Sequence, residues 1–119
     1  IDRHIKKNKI KTKVIECRTV REKNGIACST RNLNLNNKQR KIASNIYKYL
    51  LKLNKTIKKN YKFFRINVIK KDLISLGATK IDYVENYDLG NLKKTKKLKN
   101  KFRLFIAYYI DKIRLIDNI

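Results

Sequence analysis

The stretch that most restricts the fold of this chain is FRLFIAYYI, residues 102–110. Successive side chains of a strand point to opposite sides. This run is apolar on both sides apart from Arg103, so both must be covered, which predicts a central strand. Asp111-Lys112 offers a tight turn, because Asp tolerates left-handed backbone better than most non-glycine residues. The turn leads into a second strand, IRLID at 113–117. Upstream, Ile81, Tyr83 and Tyr87 alternate with Asp82 and Asn86, so residues 80–87 read as a third strand. Between them, LKKTKKLKNK (92–101) reads as a solvated basic connector.

The first two thirds carry a helical period. Ile42, Ala43, Ile46, Tyr47, Leu50 and Leu53 recur at i, i+3, i+4 spacing in a helix starting near Lys38. Asn36 is placed to cap it, with Gln39 three residues on as in a capping box. A second helix is predicted over Ile66–Leu76, with Ile66, Ile69, Leu73 and Leu76 as its stripe and Gly77 as a left-handed cap. Residues 55–65 fit neither period. IDRHIKKNK (1–9) reads as the end of a basic helix and TKVIEC (12–17) as a short strand. Helices followed by an antiparallel meander predict an α+β fold, with helices packed on a small antiparallel β-sheet.

The 119 residues suffice for one small domain, and 42% of them are hydrophobic, which argues against wholesale disorder. The longest apolar run, Leu104–Ile110, falls far short of the roughly 18 residues of a membrane-spanning helix. The N-terminus lacks the pattern of a signal peptide, and a start at Ile rather than Met reads as a fragment. Cys17 and Cys28 stand eleven apart with no second pair, which is neither a zinc pattern nor a disulfide framework. They read as two small buried hydrophobes in a reducing cytosol.

The formal net charge is +23, from 32 Lys+Arg against 9 Asp+Glu. One reading is a basic nucleic-acid-binding module of the ribosome-associated kind, since clustered cations displace counterions from phosphate backbones. The other is coding bias, because Pro, Trp and Met are absent and Lys, Asn, Ile and Tyr abound. The cations are mostly lysine and spread over every segment, which favours coding bias.

REKNGIACSTRN (21–32) breaks this pattern. Asn24-Gly25 is a turn dipeptide. Ser29, Thr30 and Arg31 then precede the long helix, where backbone N–H groups and hydroxyls can meet an anion and an arginine can fork onto it. Taken alone, such a triplet is more often the cap of a helix than a catalytic grip.

TVREKNGIACSTRNLNL (19–35), IDYVENYD (81–88) and IRLIDNI (113–119) occur in this order. Together they resemble the C-terminal domain of the pantothenate synthetase (pantoate–β-alanine ligase) family, and the likeness covers nearly the whole chain. That family reads like P-T-V-R-E-x-D-G-L-A-M-S-S-R-N-x-x-L, then D-Y-V-E, then T-R-L-I-D-N. The resemblance implies the C-terminal ATP-lid domain (18–119) of a nucleotidylyltransferase-superfamily ligase. Residues 1–17 would then be the tail of its Rossmann-like, nucleotide-binding N-terminal domain.

The activity implied is pantothenate biosynthesis. Pantoate attacks the α-phosphate of ATP, giving pantoyl adenylate and pyrophosphate with Mg²⁺ present, and β-alanine then displaces AMP. Carried over residue by residue, Cys28, Ser29, Thr30 and Arg31 contact ATP, Arg31 is catalytic, and Val20 lies by the adenine through its backbone. No metal ligand is identified. The implied partners are the N-terminal domain of the same enzyme and, through it, a second copy. No specific nucleic acid and no membrane are expected, and the location is cytoplasmic.

Four positions depart from the family. Arg18 replaces a proline, Cys28 a Met or Leu, Thr30 the second serine and Asp111 a turn glycine. The family's catalytic histidine motif is not in this chain. The one histidine, His4, reads as a surface residue. No Asp/Glu or Cys–His pair forms a general acid–base set. The nucleic-acid reading accounts for the charge and leaves the three blocks unexplained.

Overall fold

The structure, a computed structural model, describes residues 1–90, 93–94 and 102–119. Three strands form an antiparallel sheet in the order β1 (Lys80–Asp88), β2 (Phe102–Ile110), β3 (Ile113–Asn118). The nine-residue run apolar on both faces is thus the central strand. Asp111 makes the β2–β3 turn at φ 52°, without glycine, and its carboxylate accepts from the Gln39 amide at 2.6 Å.

Before the sheet come three helices, α1 (Asp2–Lys7), α2 (Asn37–Lys59) and α3 (Ile66–Ser75), of which α1 is short and carries the exposed His4. The other two cover one face of the sheet. α2 places Ala43, Ile46 and Leu50 in the core, and α3 adds Ile69 and Leu73. They meet Leu104, Ile106, Tyr108 and Ile110 of β2, Val84 of β1 and Leu115 of β3. The capping box forms as the spacing predicts. The Gln39 N–H donates to Asn36 Oδ1, and the Asn36 N–H donates to Gln39 Oε1, both at 2.9 Å. At the end of α3, Gly77 (φ 111°) and Ala78 donate to the Ile74 and Leu73 carbonyls, the double bond of a Schellman cap. A Cβ on Gly77 would lie 2.9 Å from Ile42 Cδ1, so glycine answers both the φ and the close approach.

Several expectations need correction. Residues 12–17 form no strand; they run irregular and exposed, and no described strand pairs with them. The ambiguous 55–65 segment continues α2 to Lys59 and then makes a 3₁₀ turn at Tyr61–Phe63. Ile66, assigned to the buried stripe, is 42% exposed, because it sits in the first turn of α3 beyond the edge of the core. In β1 an irregularity between Ile81 and Tyr83 shifts the register and resets the alternation. Val84 and Asn86 are therefore the buried residues of this strand, rather than Asn86 facing solvent. Both cysteines are exposed rather than buried, since each lies in a segment outside the helix–sheet sandwich.

The 92–101 connector lies outside the described residues except Lys93 and Lys94. These two run back along β1. The Asp88 N–H donates to the Lys93 carbonyl at 3.0 Å, and the Lys94 ammonium meets Glu85. No helix among the described residues is long and apolar enough to cross a membrane.

The two long helices are stitched by the Tyr49 hydroxyl, which donates to Asp72 Oδ2 at 2.7 Å. Burial, reinforced by Asp72, holds this phenol's pKa well above its ordinary value. A phenol kept neutral when folded stabilises the fold fully below the unfolded pKa of about 10 and progressively less above it. Tyr49→Phe should therefore be less stable than the parent at pH 9, by about 1–3 kcal/mol. That gap should narrow by pH 11, because only the parent has this phenol to ionise. Urea denaturation of both proteins at the two pH values checks this, and lysine titration cancels in the difference.

Candidate functional site

The stretch before α2 owes its shape to bonds inside the sequence Arg21–Cys28. The Asn24 side chain accepts the Ile26 N–H at 3.1 Å, turning the chain, and Gly25 follows at φ 89°. The chain then doubles back. The Cys28 N–H donates to the Val20 carbonyl at 3.0 Å and the Glu22 N–H to the Ile26 carbonyl at 2.9 Å, with Arg21 and Ala27 bridged. Gly25 lies against the ring of Tyr47, where a Cβ would come within 2.2 Å of Cδ1.

In extended backbone, adjacent side chains leave on opposite sides. Arg21 turns toward β3 and forks onto Asp117, with Nη1–Oδ2 at 2.8 Å and Nη2–Oδ1 at 2.9 Å. Nη1 also donates to the Gly25 carbonyl at 3.0 Å, and the guanidinium lies 4.5 Å from the centroid of the Tyr47 ring. The pair is mostly enclosed, with 20% and 10% of the two side chains exposed. The Asp117 hydrogen bond raises the Arg21 pKa further, against the opposing effect of burial.

Glu22 turns the other way, to α2, and takes a 2.9 Å bond from Arg40 Nη1 and a 2.7 Å bond from Asn32 Nδ2. Arg40 Nη2 closes the set on the Asn32 carbonyl at 2.6 Å. Asn32 is 2% exposed and also donates to the Ala27 carbonyl. These bonds fix the 3₁₀ helix Thr30–Asn34 against the start of α2.

Ser29 caps that short helix, its Oγ accepting the Arg31 N–H at 3.2 Å. The capping role weighed from sequence is real for this residue. Its hydroxyl proton is not used in that bond and stays available to a ligand. Cys28, Ser29 and Arg31 line a cavity of ≈ 420 Å³ that continues past Tyr47 and Tyr108 to Arg114 and Asp117. Burial, with the Asp117 charge nearby, raises the Tyr108 pKa. Arg31 is exposed and makes no side-chain ion pair among the described residues.

Val20 and Thr30 do not line the cavity. Val20 is 71% exposed and its carbonyl is engaged by Cys28, while Thr30 is exposed on the outer turn. The site thus brings together Cys28, Ser29 and Arg31, along with Arg114 and Asp117 of β3. Among the described residues no group of three or more His, Cys, Asp and Glu side chains could hold a metal ion.

The residues that build this site, Arg21, Glu22, Asn32 and Asp117, were missed as functional by the sequence reading. A usable signal existed: the chain has only 9 acidic residues, and Glu22 and Asp117 fall inside the first and last motif blocks.

A family model described as "Pantoate-beta-alanine ligase" matches residues 1–119. The pantothenate synthetase of Thermosipho melanesiensis is 40% identical over 101 residues, covering 84% of this chain and 36% of that protein. The crystal structure of a Francisella tularensis pantoate-beta-alanine ligase, described as complexed with beta-gamma ATP and beta-alanine, superposes with a TM-score of 0.63 at 33% identity. The match takes in 99% of this chain and 37% of that one. The pantothenate synthetase of Thermus thermophilus superposes with a TM-score of 0.79 at 24% identity, 99% of this chain against 43% of that one, a likeness of fold. The chain therefore spans about two fifths of the length of these relatives.

Gly25→Ala should strain the turn twice over. A side chain at that φ costs about 1–2 kcal/mol, and the added methyl displaces Tyr47 from beneath Arg21. The expected result is a measurable loss of stability and faster amide exchange over 19–31 than in the helices, read by hydrogen–deuterium exchange. Unchanged exchange there would mean that the loop does not depend on the Gly25–Tyr47 contact.

Proposed function

The chain belongs to the pantoate–β-alanine ligase family, and from that membership we propose that it supplies the phosphate-gripping part of an ATP-dependent ligase. The substrates are pantoate, β-alanine and ATP. The observation that carries this is Arg31, a guanidinium without an ion-pair partner among the described residues, on the wall of a cavity beside the Ser29 hydroxyl.

In the first step the pantoate carboxylate attacks the α-phosphate of ATP, and pyrophosphate leaves. Negative charge builds on the phosphate oxygens as the bond to the leaving group breaks. Preorganised donors are worth most there. Arg31 can hold two oxygens at once, and Ser29, already accepting from Arg31, can give its proton to a third. Thr30 adds a hydroxyl from the outer turn. Cys28 and Val20 can meet the nucleotide through backbone atoms: the Cys28 N–H becomes available only when its bond to the Val20 carbonyl opens, whereas that carbonyl keeps a second lone pair. In the second step the β-alanine amine attacks the acyl carbon of pantoyl adenylate, and AMP leaves.

Mg²⁺ would arrive with the triphosphate. The described residues of this chain do not fit a metal site of their own. Residues 18–119 act as the lid, and 1–17 as the tail of a nucleotide-binding domain. That domain provides the catalytic histidine motif and the pantoate pocket, and pairs two copies of the enzyme. The cytoplasm suits two exposed free thiols.

The test uses the full-length enzyme in single turnover, following pantoyl-adenylate formation. Arg31→Ala should slow this step by roughly 10²–10³, or about 3–4 kcal/mol. Lys48→Ala, on the exposed side of α2, should be near neutral. An Arg31→Ala enzyme that keeps more than about half of the parent rate would reduce the stretch to a helix cap.

A further inference from the structure

We infer that Arg21 and Asp117 form a positioning pair, a latch that sets where the Ser29–Arg31 grip stands; the inference rests on the phosphate-grip reading. Neither residue is placed on phosphate. The Arg21 fork is fully engaged, by both Asp117 oxygens, by the Gly25 carbonyl and by the Asn118 carbonyl at 3.4 Å. Asp117 is equally engaged, since Oδ1 also accepts the Asn118 N–H at 2.7 Å.

Geometry gives the pair its role. Arg21 is bridged to Ala27, and Ser29 lies two residues beyond. Asn32, just past the grip, is held by Glu22, the neighbour of Arg21. The grip is thus strung between two anchors that leave the backbone on opposite sides, one fixed to β3 and the other to Arg40 on α2. Of the two, the Arg21–Asp117 anchor is the more enclosed and joins residues 96 apart in sequence. Through Asp117 it also forms part of the cavity wall that Arg31 shares. A bidentate fork fixes orientation as well as distance, and lysine, with a single point of charge, cannot do the same. Misplacing a binding group by about 1 Å can cost on the order of 100-fold in rate.

The experiment is a double-mutant cycle in the full-length enzyme, between the latch and Arg31. Arg21→Lys should lower the rate of adenylate formation about 10- to 100-fold. It should raise the KM for ATP while leaving the KM for β-alanine within about twofold. In an Arg31→Ala background the same Arg21→Lys change should have no further effect, because the group it positions is gone. Asp117→Asn, which keeps shape and removes charge, should behave as Arg21→Lys does, and its own cycle with Arg31→Ala decides the matter if Arg21→Lys fails to fold. The proposal is overturned if the latch variants are neutral while Arg31→Ala is impaired. It is equally overturned if the two losses multiply, as they would for a latch that merely stabilises the fold. An Arg31→Ala enzyme of normal rate overturns the grip and the latch together.

Discussion

Covering the helix-facing side of β2 is the requirement on which the rest of the molecule depends. Leu104, Ile106 and Ile110 on one side are 0%, 0% and 1% exposed, and Ala107 on the other is 0% exposed. Burying one large apolar side chain contributes about 1.5–3 kcal/mol, and β2 collects that on the side the helices cover, while Phe105 and Tyr109 on the other side stay half-buried. β1 and β3 pair along its two edges, and α2 and α3 close one face through Ile46, Leu50, Ile69 and Leu73. The last strand is therefore held rigidly, and Asp117 with it. This is what makes Asp117 a fixed point from which a loop near the other end of the chain can be hung.

The charge imbalance sharpens the meaning of each carboxylate. With 32 cations and 9 acids, a lysine carries little information, whereas an acid is scarce. Asp2, Glu22, Asp72, Asp82, Glu85, Asp88, Asp111 and Asp117 all accept a hydrogen bond or ion pair. The exposed pairs, such as Asp2–Lys6, contribute little. Among the better enclosed ones, Glu22 and Asp117 at the candidate site and Asp72 between the helices fall where the chain must be placed rather than merely kept soluble. The four arginines around the site differ in the same terms. Arg21, Arg40 and Arg114 are held by carboxylates, and Arg31 makes no ion pair among the described residues.

Much of the architecture was legible in the sequence because it is local. The capping box at Asn36 and Gln39, the Schellman cap at Gly77, the turn at Asp111 and the limits of β2 all follow from a few neighbouring residues. The cap that Ser29 makes is local too, but the 3₁₀ helix it caps, Thr30–Asn34, has no counterpart in the sequence expectation of a loop there. The misreadings have the opposite character. TKVIEC has the composition of a strand, but a strand needs a partner and no described strand lies beside it. The face of β1 was misjudged because a single register shift between Ile81 and Tyr83 exchanges the two sides.

By itself the sequence determined the two long helices, the three strands of the sheet and their order, and the Ser-Thr-Arg triplet before a helix, because helical and strand periods, caps and turns act over three or four residues. Only the tertiary structure decided which of the candidate ligand residues share a cavity: Cys28, Ser29 and Arg31 do, and Val20 and Thr30 do not. It also decided that Arg21 and Glu22, adjacent in the chain, hold opposite sides of the site. An ion pair between residues 96 apart exists only once packing has brought the first loop against the last strand, and no local rule of sequence encodes that distance.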